Sequence, residues 1–228
     1  QLILGCPGDS FDKWLHAYCS LMEQGIHGEY RAYPFGLFPN SAAADPEYMA
    51  RWEIYAPYRV NYVPFYTLKK NDISYALSKS RYVLTSKGLS IEEYSRMLKL
   101  SLLISACHDH GFTRFIAIGL HDTAGLSYER FYRDLLDISE GQEWFMPTEE
   151  FVRRWVTDED SSFVVRSKYT HSLVEAEEEL VFDLYANFDS FYETICDLYS
   201  VPEDLVYYQK TILYRPESVP RFGRQFYL

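Results

Sequence analysis

The residues best placed to do chemistry are Gly5-Cys6-Pro7-Gly8-Asp9, which follow the apolar run Leu2–Leu4 and precede a stretch of helical periodicity. Glycines at 5 and 8 allow positive φ or close approach of backbone to a ligand, and Pro7 stiffens the turn between them. A buried strand that runs into such a turn and then a helix N-terminus is where α/β enzymes hold ligands. The competing reading is an ordinary strand-to-helix turn with Asp9 or Ser10 as the cap. Cys6 reads as a small apolar filler with an oxidisable thiol. Tyr33 and Pro34 close a second apolar-aromatic run, Glu29–Phe35. Tyr33 either faces a reaction chamber or packs on the preceding helix. Asn40, in the loop beyond, is expected to bond its own backbone.

Three other groups carry weaker signals. His108-Asp109-His110 could bind metal or move protons, but they stand at the end of a helix, where cationic side chains complement the dipole. Capping is the preferred reading. Glu175, Glu177, Glu178 and Glu179 precede an apolar stripe and read as solvated charge. Cys6, Cys19, Cys107 and Cys196 are scattered without a C-x-x-C pair, which fits neither a zinc site nor a disulfide framework. Free thiols of this kind imply a reducing, cytoplasmic setting. His121 and Asp122 have no partner that spacing can name. There is no G-x-S-x-G and no G-x-x-x-x-G-K, so neither a hydrolase elbow nor a phosphate-cradling loop is indicated.

Elements that could position these groups follow from periodicity. Phe11, Leu15, Tyr18 and Met22 give one helical face, and Gly25 supplies a stop. The pattern strand, helix, strand over the first 35 residues suits a parallel crossover. Asp45 and Pro46 mark the start of a short helix reaching Trp52. Residues 54–89 read as irregular, with a turn at Lys69-Lys70-Asn71-Asp72 and a short strand at Tyr82–Thr85. Ser90 and Glu93 form a capping box for a helix to about His110, with Ile91, Tyr94, Leu98 and Leu102 as its buried stripe and Gly111 as its stop. Residues 112–121 are apolar, helix or strand, and helices are expected at 127–139 and 147–156. After the acidic break at Asp158-Glu159-Asp160, Leu180, Leu184, Phe188, Phe191, Ile195 and Leu198 predict one long amphipathic helix. The tail 201–228 has no period.

The chain has 228 residues, 47% of them hydrophobic, enough for one core or a core with an appended module. Its net charge of −11 argues against a nucleic-acid backbone or an anionic membrane as partner. No apolar run approaches the ~20 residues that span a bilayer. Its 21 Tyr and 15 Phe suit either a Tyr-rich core rim or an interface. With no Met before the first strand, the chain is expected to be the C-terminal part of a larger α/β protein.

Four segments in order resemble the cobalamin-binding radical S-adenosylmethionine (SAM) family. LILGCPGDS (2–10) is similar to its LxxGLPGET/DT turn, and YPFGLFPNSAAADPEY (33–48) to its YPL…LPN.PLADPEY segment. YVLTSKGLSIEEY (82–94) resembles its VSTK.LS.EEY passage, and ACHDHGFTRF (106–115) its LHNLGLTRF helix end. The resemblance implies an α/β fold. Residues 1–89 would be the last βα units of a partial parallel (β/α) radical SAM barrel, and residues 90–228 a mainly helical C-terminal module. It implies SAM as cofactor, lined by Ile3, Gly5, Pro7 and Gly8, with Tyr33 toward a small-molecule or peptide substrate. The family's CxxxCxxC, which holds its [4Fe–4S] cluster, and its cobalamin-binding segment are both absent from this sequence. Cluster and cobalamin are therefore expected from an upstream domain or a partner chain. The implied reaction is 5′-deoxyadenosyl-radical chemistry, with methyl transfer as the first choice. The alternative is a non-catalytic accessory protein that retains part of a barrel.

Overall fold

A computed structural model describes residues 1–28, 30–67 and 72–213. It opens on β1 (Leu2–Leu4), α1 (Phe11–Glu23) and β2 (Ala32–Pro34). β1 and β2 are parallel, in the register Leu2↔Ala32, Ile3↔Tyr33 and Leu4↔Pro34. The crossover expected from the periodicity is thus present. Ser10 is the cap of α1, accepting from the Lys13 N–H, and Gly25 takes a φ of 73° just beyond the helix end.

β3 (Gly36–Leu37) follows, and then α2 (Pro46–Arg51), capped by Asp45, which accepts from the Glu47 and Tyr48 N–H groups. The region read as irregular is instead a long antiparallel hairpin. β4 (Tyr58–Thr67) pairs with β5 (Asp72–Tyr82), and β3 joins the outer edge of β5. Prolines and scattered aromatics masked the alternation here, because Pro64 is tolerated on β4, an edge strand of this three-stranded sheet. The turn expected at 69–72 lies outside the described residues except for Asp72, the first residue of β5. The strand expected at Tyr82–Thr85 is reduced to Tyr82 at the end of β5 and an isolated bridge from Thr85 to Tyr55.

α3 (Ile91–Ile104) starts at Ser90, which accepts from the Glu93 N–H. It contacts α1 and β1 as well as α5 (Tyr128–Ser139), α6 (Met146–Thr157) and α7 (Ala176–Ala186). Its second half is consequently buried on every side, from Met97 through Ile104 save Lys99, rather than along one stripe. The helix ends in a π-turn over Ser105–Asp109, closed by the His110 N–H on the Ser105 carbonyl at 2.9 Å. α4 (Arg114–Ala124) settles the ambiguous apolar run as helix.

The one long helix expected near the C-terminus is two helices, preceded by a hairpin. β6 (Val164–Arg166) and β7 (Leu173–Glu175) form a second hairpin, α7 follows, and α8 (Phe188–Tyr199) restarts after a break at Asn187. The stripe is continuous across that break because both helices face the same core. α9 (Glu203–Leu213) lies in the stretch read as lacking a period. One apolar cluster runs from Leu4 through α1, α3, α5 and α6 to Leu213, and so includes residues from both sides of position 89. Among the described residues no helix is long and apolar enough to cross a membrane.

Candidate functional site

The parallel pair has two unlike faces. Leu4 is fully buried toward the helices, while its neighbour Ile3 is 53% exposed and Tyr33, directly across from Ile3, is 44% exposed. Parallel strands are normally covered on both sides. Here the uncovered side forms the wall of an open cavity of about 680 Å³. The β4–β5 hairpin supplies Asn61, Ser80 and Tyr82 to it, α6 supplies Trp155, and the β6–β7 region supplies Phe163, Val164 and Glu175. Tyr82 donates to the Asn61 side-chain carbonyl at 2.9 Å, and the Asn61 amide donates to Ser80 at 2.8 Å, so this wall is polar but internally satisfied. Gln1, Arg31 and Glu177 lie at the end where β1 and β2 begin, and Phe35 and Phe38 at the end where β2 finishes. Arg81 lines the latter end, across from Leu37, so the cavity offers an apolar body with charged groups toward both ends, which suits an amphiphilic ligand.

Of the expected site residues, Ile3 and Tyr33 line this cavity; Gly5, Pro7 and Gly8 are absent from its walls. Gly5 has a φ of 93°, and a Cβ there would meet the Tyr94 ring and the Val83 carbonyl, each at 3.1 Å. Its lack of a side chain thus serves packing on α3. Gly8 (φ 88°) is exposed with open space around it. Asp9 accepts from the Cys6 N–H at 2.9 Å and Lys13 donates to the Gly8 carbonyl at 2.8 Å, which fixes the loop. Cys6 is half-buried, and burial, with the Asp9 charge beside it, pushes its thiol pKa up. That makes it a poor nucleophile. Beyond β3, the turn is closed by Ser41, which donates to the Phe38 carbonyl at 2.8 Å, whereas the sequence pointed to Asn40.

Tyr94 connects the loop to the cavity wall. Its hydroxyl accepts from the Trp155 indole N–H at 3.2 Å. The Trp155 carbonyl in turn accepts from buried Arg59 at 2.7 Å. Sequence reasoning missed this relay, since its members stand on β4, α3 and α6 and no local spacing relates them.

The histidines at the end of α3 behave differently from expectation. His108 does not cap the helix. The π-turn swings it into the core, where its Nδ1 lies 2.6 Å from the Tyr132 hydroxyl and its Nε2 3.1 Å from Nδ1 of His27. Burial, reinforced by His27 and Arg114, lowers its pKa to about 3, so the imidazole is neutral. Capping is done by Arg114, whose guanidinium donates to the His108 carbonyl at 2.7 Å and also to that of Asp109. Asp109 accepts from the Tyr30 N–H at 3.0 Å. His121 stacks on Tyr128, with ring centroids 4.5 Å apart. Among the described residues no group of three His, Cys, Asp or Glu side chains could hold a metal ion.

The acidic run also departs from the solvated reading. Glu175 and Glu178 make the reciprocal capping box of α7. Glu177 is drawn between the cavity and the π-turn, within reach of Ser105 at 3.4 Å. Burial, helped by Glu175, raises its pKa to about 6, with Arg31 and Ser105 opposing.

No protein-family profile matches the chain. Over 144 residues, 62% of the chain, it is 24% identical to the cobalamin-dependent radical SAM methyltransferase TokK of Streptomyces tokunonensis. Over 137 residues, 59% of the chain, it is 26% identical to 2-(S-pantetheinyl)-carbapenam-3-carboxylate methyltransferase of Streptantibioticus cattleyicolor. The matched stretches amount to 20% and 19% of those proteins, so the chain corresponds to about a fifth of each. The chain is thus a distant relative of methyltransferases that include a cobalamin-dependent radical SAM enzyme, which supports the resemblance read from its four segments at that level.

Proposed function

We propose that this chain forms the closing βα units and C-terminal module of a radical SAM barrel, and that the whole protein methylates its substrate through 5′-deoxyadenosyl-radical chemistry with cobalamin. The observation that carries this reading is the uncovered Ile3–Tyr33 face of the parallel pair, which opens on a cavity of about 680 Å³. A parallel sheet with one bare apolar face fits the interior of a larger barrel, whose ligands bind beyond the C-terminal strand ends.

The iron–sulfur cluster does not fit this chain. The four cysteines are free and spread over Cys6, Cys19, Cys107 and Cys196, two of them buried. Cluster and cobalamin belong, on this reading, to segments outside it. SAM does fit. Ile3 offers an exposed apolar platform beside the fixed Gly5–Asp9 turn, where Pro7 and Gly8 present main chain for a nucleoside. When bound, and cleaved by one electron from a cluster held outside this chain, SAM would supply the carbon radical needed for hydrogen abstraction from the substrate. Tyr33, across from Ile3, holds the substrate against that platform through its ring and hydroxyl. The substrate class implied by the cavity is a small molecule or peptide with an apolar body and an ionic end.

The test is anaerobic reconstitution of the full protein, assayed for iron, acid-labile sulfide and 5′-deoxyadenosine under reductant. Tyr33→Ala is expected to keep SAM cleavage while reducing methylated product, and Ile3→Ser to weaken SAM binding. A full protein that takes up no iron and does not bind SAM would make the chain part of an accessory protein or another α/β enzyme.

A further inference from the structure

A second cavity, of about 480 Å³, lies between α6, α7 and the β6–β7 hairpin, and Val164 of β6 lines both. Its lining includes two carboxylates from successive turns of α7, Glu179 and Asp183. Asp183 is 1% exposed. Its Oδ1 accepts from Lys168 Nζ at 2.6 Å and from the Tyr169 hydroxyl at 2.8 Å. Its Oδ2 is buried and has no hydrogen-bond partner among the described residues. Glu179 repeats the pattern, with Oε1 accepting from the Lys168 N–H at 3.0 Å and Oε2 buried without a partner. A buried acceptor left unmet costs about 1–3 kcal/mol, and more when charged. Two in one cavity point to something that arrives from outside. Glu150, Asp160, Arg154 and Arg166 also line the cavity, so with Lys168 four carboxylates face three cations and the group is formally one positive charge short.

We infer that this cavity binds a small alkylammonium ion, with Asp183 Oδ2 and Glu179 Oε2 as acceptors and the Phe151–Leu173–Leu180 wall taking its alkyl chain. An ammonium presents several N–H donors to two separate oxygens. A metal ion is disfavoured by the apolar wall and because, among the described residues, no group of three His, Cys, Asp or Glu side chains could hold one, where calcium takes 6–8 oxygen ligands. The anchors are held in place by the loop between β6 and β7. Ser167, itself buried, accepts from the Tyr169 and Thr170 N–H groups, setting Lys168 and Tyr169 over Asp183. The inference is independent of the radical SAM reading, because none of the residues assigned there touches this cavity.

The test is titration of the full chain with n-butylammonium chloride, followed by calorimetry and ligand-observed NMR, with 1-butanol as the neutral isostere. Saturable binding is expected, weakened about tenfold or more by Asp183→Asn and also weakened by Glu179→Gln. Butanol should not compete. Asp183→Asn keeps shape and volume; if it fails to fold, Glu179→Gln and the butylammonium-induced rise in Tm of the unaltered chain decide the matter. Failure of butylammonium to bind would mean that water alone meets these oxygens. Equal binding of butanol, or binding unchanged in both variants, would equally overturn the assignment.

Discussion

At the scale of single residues, the buried ionisable groups set the pH response. The His108 pKa lies near 3 in the fold, below the imidazole's ordinary value, because burial and then the His27 and Arg114 charges disfavour its cation. The unfolded chain therefore takes the proton first. Stability from the neutral imidazole is complete at neutral pH and drains as pH falls from about 6.5 toward 3, by up to ~1.4 kcal/mol per pH unit. Glu177 works in the opposite sense. Its pKa is raised to about 6, so the folded chain takes that proton first, and acidification from about 6 toward 4.5 returns stability. Urea midpoints between pH 7 and 5 should accordingly fall, more steeply in Glu177→Gln and less steeply in His108→Gln than in the unaltered chain. The reverse order would show that other groups govern the acid limb. Gly5 and Gly8 make a second comparison, since both have positive φ but only Gly5 is crowded, by Tyr94 and Val83. Gly8→Ala should cost about 1 kcal/mol from backbone alone. Gly5→Ala should cost roughly twice that once steric crowding is added. Thermal unfolding of the two variants separates the terms.

At the scale of elements, Arg59 fastens the β4–β5 hairpin to the end of α6. Its guanidinium donates to the carbonyls of Trp155 and Val156 at 2.7 and 3.2 Å and to Tyr58 at 2.8 Å. The Trp155 and Val156 carbonyls belong to the last turn of α6, where a helix leaves acceptors unmet and favours a cation. Lysine has the charge but not the planar fork. Arg59→Lys should therefore destabilise the fold by about 2 kcal/mol or more, read from denaturant midpoints. A near-neutral result would mean that the hairpin is held by its apolar contacts instead. Asn187 has a smaller role. Its side-chain amide donates to the Asp183 carbonyl at 3.0 Å where α7 stops and α8 begins. Asn187→Ala should cost about 1 kcal/mol or less and leave the break in place, because the carbonyl loses the side-chain amide but keeps the Asn187 backbone N–H at 3.0 Å. Helical content by circular dichroism should be unchanged.

At the scale of the whole molecule, one core binds α1 and the helices from α3 to α9, while α2 packs on a separate cluster of Leu37, Ala56 and Val83, yet the parallel pair stays bare on the Ile3–Tyr33 side. Tyr33→Ala should leave Tm within about 0.5 kcal/mol-equivalent of the unaltered chain, because an exposed ring contributes little to folding. Loss of methylated product with intact stability would then assign Tyr33 to the ligand rather than to the core.

What the sequence determined by itself was local. Ser10, Asp45 and Ser90 are helix caps, because a short side chain before a helical run has few other uses. The first strand, helix and strand were legible because periods of two and 3.6 differ within a few residues. The bare face lined by Ile3 and Tyr33 was not legible, since the first strand read as buried and Tyr33 fitted a chamber and helix packing equally. Only the tertiary structure decided the rest. The β4–β5 and β6–β7 hairpins depend on partners distant from any local period: Pro64 interrupts the sequence pattern of β4, and β6 and β7 are three residues each, too short to show one. The long C-terminal stripe is two helices, since a shared core imposes one apolar face across a break at Asn187. His108 turned inward and Arg114 took over its carbonyl because a π-turn adds one residue to the helix, a rotation that no spacing in the sequence records. The Asp183–Glu179 cavity and the Gly5–Tyr94–Trp155–Arg59 relay bring together groups far apart in the chain, and such proximity is set by packing, which is non-local by nature.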